Sequence, residues 1–229
     1  MASKQTRPEL GGCRADGLSG AALQVHRAVL ATFALTGQPP ARGELDRLAR
    51  GHGADPGAVL AELAESDVLA FAADGQIRAA YPFSPVATPI QVSWAGGPDA
   101  YAMCAIDALG MSAMLGLPVT ITAAEPGTGH VITVRADGDQ ARWDPRTTVV
   151  FAGSAGDDGR PSADRSCCFI NFFATAGNAR AWAIRHPEVT GRLLTREAAL
   201  RSGVAQFGTL LRAAPQPGLP QDTRESGLP

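Results

Sequence analysis

The chain has 229 residues, of which 45% are hydrophobic and 18% charged, enough apolar material for a sizeable core. A formal net charge of -2 gives no electrostatic reason to expect a nucleic acid or an anionic membrane as partner. Four cysteines, two of them adjacent, are too few in so long a chain to form a disulfide framework, and we expect a reducing, cytoplasmic setting.

Residues 1–18 are polar and Gly-rich, and a disordered arm is expected there. They lack the apolar stretch of a signal peptide, and without it the "LGGC" around Cys13 is not a lipoprotein cleavage box. From Ser19 the spacing of Leu23, Val25, Leu30, Phe33 and Leu35 predicts a helix, stopped by Gly37-Gln38-Pro39-Pro40. A second helix fits 42–50, with Leu45 and Leu48 inward. A third fits 56–66, with Pro56 in its first turn and Val59, Leu60 and Leu63 buried. Residues 68–71 and 77–81 around Asp74-Gly75 read as a hairpin. Three helices and a hairpin make a winged-helix pattern over 19–81. The third helix, which would enter a DNA groove, carries Asp55, Glu62 and Glu65 and no Arg or Lys, so no nucleic-acid partner is expected.

The run YPFSPVATP (81–89) reads as a linker to a second domain over 90–212. There, 90–94 is a short strand and Asp99 is positioned to cap a helix over 100–117. That helix is barely long enough to span a bilayer and contains Asp107 and two glycines, so it reads as a buried helix and not a membrane span. Strands fit 119–123 and 130–136 around the turn at 125–129, and another fits 147–151. A Gly-, Ser- and Asp-rich loop covers 153–163. An apolar strand fits 167–173, followed by helices near 178–185 and 195–211, and the Pro-rich tail over 213–229 is expected to be disordered. The fold class is α+β: an N-terminal winged-helix-like helical domain, then a mixed or antiparallel β-sheet core packed with helices.

Few residues invite chemistry. His26, His52, His130 and His186 are scattered, and no closed set of zinc ligands is visible. The segment YAMCAIDALG is different. Asp107 is the one charge in 100–117, and burying a carboxylate is costly without compensation. At spacing i, i+3 it shares a helix face with Cys104. A free Cys in a core needs no special reason, but the Asp does. A buried Asp whose carboxyl holds a proton is fitted to carry it to or from the thiol. In SCCFINFF, strand alternation turns one of Cys167 and Cys168 toward that helix and the other away, leaving open which. Two thiols and a carboxylic acid in an apolar pocket suit a soft, thiophilic metal.

The segment YAMCAIDALGMSAMLG and, sixty-three residues after its Cys, SCCFINFFATAGNARAWAIRHP resemble the two signature segments of organomercurial (alkylmercury) lyases. The similarity covers roughly 20–211 and extends to Phe172–Ala174, Ala179–Trp182 and the helix after Thr195. Matched residue by residue, it implies Cys104, Asp107 and Cys167 as catalytic and mercury-binding residues, with mercury as substrate and product and no resident cofactor. It also implies an N-terminal winged-helix-like domain, external low-molecular-weight thiols for turnover and a mercuric reductase that takes the Hg(II). The chain has Ala123-Ala124 where family members often carry another Cys, and Ser166 where an aromatic is common. It keeps Asp at 107, where some relatives carry Ser. The rivals are a relative acting on another thiophilic or organometallic compound, and a thiol-based metal-sensing winged-helix regulator. The resemblance assigns no role to Cys13 or Cys168.

Overall fold

The computed structural model describes residues 13–156 and 161–211. The expected tail, and residues 1–12 of the expected arm, lie outside them. Residues 13–18, expected to belong to that arm, pack instead against the body, where Arg14 N donates to Gln206 O at 3.0 Å.

Helices α1 (Gly20–Thr36), α2 (Arg42–Gly51) and α3 (Pro56–Glu65) follow the predicted order. Their ends are chemically marked. Ser19 Oγ accepts from Ala22 N, Gly37 closes α1 in the left-handed conformation at φ 73°, and Asp55 caps α3 with Pro56 in its first turn. Then come β1 (Leu69–Phe71), β2 (Ile77–Ala80), β3 (Phe83–Ser84), β4 (Ile90–Ser93) and β5 (Ala100–Ala102), followed by α4 (Ala105–Leu115). Strands β6 (Val119–Ala124), β7 (Val131–Asp137), β8 (Gln140–Asp144) and β9 (Val149–Ser154) precede α5 (Ser162–Arg165) and a single 3-10 turn at Cys167–Phe169. The described chain ends with β10 (Ile170–Phe173), α6 (Ala176–Arg185), β11 (Thr190–Leu194) and α7 (Arg196–Phe207). No helix among the described residues is long and apolar enough to cross a membrane.

The architecture is mixed α+β with antiparallel sheets. Eight strands run in the order β1-β2-β3-β5-β4-β6-β7-β8, and three in the order β10-β9-β11. The 81–89 run departs from the linker reading. Tyr81, Phe83 and Ser84 are buried, and β3 joins β2 to β5, so one sheet passes through the stretch without a break. Phe33 of α1 stacks on Phe83 at 5.1 Å between centroids.

Two further readings are corrected. Residues 100–102 are a strand, and the helix begins only at Ala105, because Tyr101 is claimed on both sides by Gln91 of β4 and Ser84 of β3. Asp99 is therefore not its cap. Cys167–Phe169 is a tight turn and not strand, since a short apolar run carries no period that separates the two. Strands β8 and β11 were not expected.

Helix α4 is buried almost throughout and packs between the large sheet and α7. The helices cross closely, because a Cβ at Gly110 would stand 2.5 Å from Gly203 O and 2.6 Å from the Phe207 ring. The small sheet has two unlike faces. Phe151 and Phe173 pack on Trp182 of α6, while Val150, Phe172 and Leu194 join the main core.

Candidate active site

Strand β5 delivers the chain to Cys104, whose extended backbone (φ -159°, ψ 175°) places it at the N-cap of α4. Its Sγ accepts from Asp107 N at 3.4 Å. Ser, Asp, Asn or Thr normally fills such a slot, and sulfur is the weaker acceptor. Asp107 lies in the first turn of α4, where the positive end of the helix dipole favours a negative charge. The Cys167 thiol, held in the 3-10 turn, donates to Asp107 Oδ2 at 3.9 Å. Ligand atoms of Cys104, Asp107 and Cys167 all lie within 4.8 Å of one another. The three residues are only 3%, 2% and 2% exposed. The structure thus brings together all three residues singled out in the sequence. Cys168 is exposed, and Cys13, half-buried beside Thr209, is outside the cluster. It is Cys168 that turns away, within a 3-10 turn and not by strand alternation.

Burial pushes the Cys104 thiol well above its ordinary value, and the neighbouring Cys167 and Asp107 push it further. The resting site therefore holds Cys104 as a thiol.

A buried cation also acts on this cluster. Arg14 has an 8% exposed side chain and sits over the Tyr81 ring at 3.8 Å. Its Nη1 donates to Asp67 O at 2.5 Å and stands 3.9 Å from Asp67 Oδ2. Burial alone would lower the Arg14 pKa, but interaction with the acidic groups around it, Asp107 first, outweighs this and raises the value. The surroundings of the cluster are consequently less apolar than the sequence implied. Residues ninety apart meet here, and no local pattern could have announced it.

Asp67 also fixes the segment leading into Cys167. It takes φ 52°, a left-handed conformation that Asp tolerates better than most residues. Its carboxylate accepts from Ser162 N at 3.0 Å and from Ser162 Oγ. Tyr81 Oη accepts from Ala163 N at 2.6 Å, and Arg78 pairs with Asp164 through both guanidinium ends at 2.8 and 2.5 Å. Helix α5 is thus held by side chains from the β1–β2 region, two residues before the thiol.

A cavity of about 300 Å³ opens on the cluster, floored by Ile106 and Ile170 and bordered by Arg165, Arg192 and Gln206. A larger groove of about 1280 Å³ between β8 and α7 contains no thiol. Glu125, the other buried carboxylate, is fully engaged. It accepts from Thr128 Oγ1 at 2.6 Å, Ala174 N at 3.1 Å and Asn178 Nδ2 at 3.0 Å. It is a structural tie between β6, β10 and α6.

Two buried thiols and a carboxylate converging on one point define a site for a soft metal ion held through sulfur. The family model described as MerB, alkylmercury lyase, matches residues 83–208, and the chain belongs to that family. The chain is 33% identical over 92 residues to an alkylmercury lyase of Pseudomonas putida, covering 39% of this chain and 42% of that protein. It is 32% identical over 97 residues to one of Streptomyces lividans, covering 41% and 44%. These matches span less than half the length of either relative. The crystal structure of the mercury-bound form of MerB2 superposes with a TM-score of 0.70 at 25% identity, over 87% of this chain and 95% of that one.

Proposed function

We propose that the protein cleaves the carbon–mercury bond of organomercurials by protonolysis, with Cys104 and Cys167 as mercury ligands and Asp107 as the proton carrier. The observation that carries this reading is the convergence of three buried ligand atoms within 4.8 Å. An organomercurial arrives as a thiol adduct, R–Hg–SR′. One cysteine sulfur bonds mercury as its proton passes to the departing R′S group, which leaves as R′SH. The second cysteine then bonds mercury and gives its proton to Asp107, which already accepts from the Cys167 thiol. Two thiolates raise electron density on the attached carbon. Asp107 delivers its proton there, the C–Hg electron pair becomes a C–H bond, and R–H leaves. Hg(II) remains on Cys104 and Cys167. The two thiol protons end in R′SH and R–H, so the step balances. Exclusion of water keeps the proton on its path.

External low-molecular-weight thiols then remove Hg(II), and a mercuric reductase is the class of enzyme suited to receive it. The four cysteines are free, which suits the reducing cytoplasm such thiols occupy. We read α1–α3 with β1–β2 as a winged-helix-like unit used as scaffold. Helix α3 presents no cation to a duplex, so a DNA-binding sensor is disfavoured.

The test is purified protein with phenylmercury and excess thiol, following benzene by gas chromatography. Release is expected from wild type and none from Cys104→Ala or Cys167→Ala. Asp107→Asn should still capture the mercurial, while release falls by roughly 10²–10⁴-fold, as for loss of a general acid. Release by Asp107→Asn at the wild-type rate would refute the role of Asp107. No release by wild type would refute the lyase reading.

A further inference from the structure

We propose that the cavity selects organomercurials whose organic group carries a carboxylate, and that Arg192 is the residue that recognises it. This rests on the lyase reading above. Ile170, Ala152 and Arg192 are direct partners across β10, β9 and β11, so their side chains share a face. Two residues along, Val150 pairs with Phe172 and Leu194 on that same face, and these three are core residues. Register therefore turns position 192 to the Ile170 face, in a slot at the exposed end of this edge strand, where Thr190, Gly191 and Arg192 are exposed and Leu194 is buried. The chain places Arg there.

The slot opens on the site itself. Ala152, Ile170 and Arg192 line the same cavity as Cys104, Asp107 and Cys167. Among the described residues Arg192 has no carboxylate partner. Arg165 borders the cavity too, and its backbone is fixed, because its carbonyl accepts from Ala155 N at 2.8 Å and Ser154 Oγ at 3.2 Å. Among the described residues the only carboxylate in the lining is Asp107, beside the thiols. The cavity lining thus combines sulfur, the apolar side chains of Ile106 and Ile170, and guanidinium. A guanidinium matches the planar carboxylate in a two-bond fork. The volume of about 300 Å³ is on the scale of a small ligand pocket, suited to an aryl ring.

The experiment compares 4-carboxyphenylmercury with phenylmercury on full-length protein, using 2-mercaptoethanol so that the thiol contributes no carboxylate. Both arene release and equilibrium mercurial capture are measured. Wild type should favour the carboxylated compound by about tenfold or more in kcat/KM, the scale of one charge-assisted hydrogen bond. In Arg192→Gln that ratio should fall to about one, and Arg192→Lys should restore part of it. A ratio near one in wild type, or one unchanged in Arg192→Gln, overturns the proposal. So does a gain that follows a carboxylate on the thiol, seen on replacing 2-mercaptoethanol by 3-mercaptopropionate, and not one on the aryl group. If neither mercurial releases arene, the lyase reading fails alone. The ratio of capture affinities then decides this proposal by the same criteria.

Discussion

Cys104 Sγ both caps α4 and belongs to the ligand cluster. The two roles separate by substitution. Cys104→Ser supplies a better capping atom, so the fold should be unchanged or more stable by up to about 1 kcal/mol. It should lose mercury capture, because oxygen is a poor ligand for a soft metal. Thermal melting and mercury binding on one sample check both halves. His26 is a second residue whose behaviour follows from its surroundings. It is fully buried in α1, and neither ring nitrogen has a partner. Burial, then the charges of Arg14 and Arg27, lower its pKa to about 3. The unfolded chain therefore binds this proton at higher pH than the folded one. The resulting stability is complete above about pH 6.5 and lost as pH falls toward 3, at up to about 1.4 kcal/mol per pH unit. Urea denaturation between pH 7 and 4 should show the loss, and His26→Leu should flatten it. Of the site residues, the Cys–Asp spacing and the Cys pair were legible because they sit in short apolar segments that a single charge or thiol interrupts. Arg14, Asp67 and Arg192 were not, since each gains its meaning from a partner distant in sequence.

At the scale of elements, α4 holds two of the three site residues, and α7 fixes its height. The crossing depends on glycine at 110 and 203, where each added Cβ would meet the other helix's backbone at 2.5 and 2.6 Å. Gly110→Ala must push the helices apart, at about 1–3 kcal/mol for overpacking. Thermal melting should show the cost, and benzene release should fall with it because Cys104 and Asp107 ride on the displaced helix. Helices α1–α3 were legible from apolar spacing and caps. Strand β5 was not, because pairing on both edges overrides a helical pattern in the sequence. The exposed strand β8 lacks the apolar run that marks a buried strand, and the site-bearing turn at 167–169 has no period at all.

At the scale of the whole molecule, the β1–β2 hairpin, the 81–89 run and the strands beneath the site belong to one sheet. Phe33 on Phe83 ties α1 to that sheet, and the Arg78–Asp164 pair ties β2 of the sheet to α5. We expect unfolding to be one cooperative transition, with near- and far-ultraviolet circular dichroism superimposing in urea. Two separated transitions would show that the halves fold independently. The continuity of the sheet also bears on inheritance. A chain cut at residue 90 would begin with β4 and leave β5 stripped of β3, an open edge ready to pair with any other strand. It would also lose Asp67, Arg78 and Tyr81, which hold the approach to Cys167. The helical portion is therefore not a cassette that recombination could exchange for another while the chemistry survived. The two halves must be passed on together, and a substitution in either is answerable to the other.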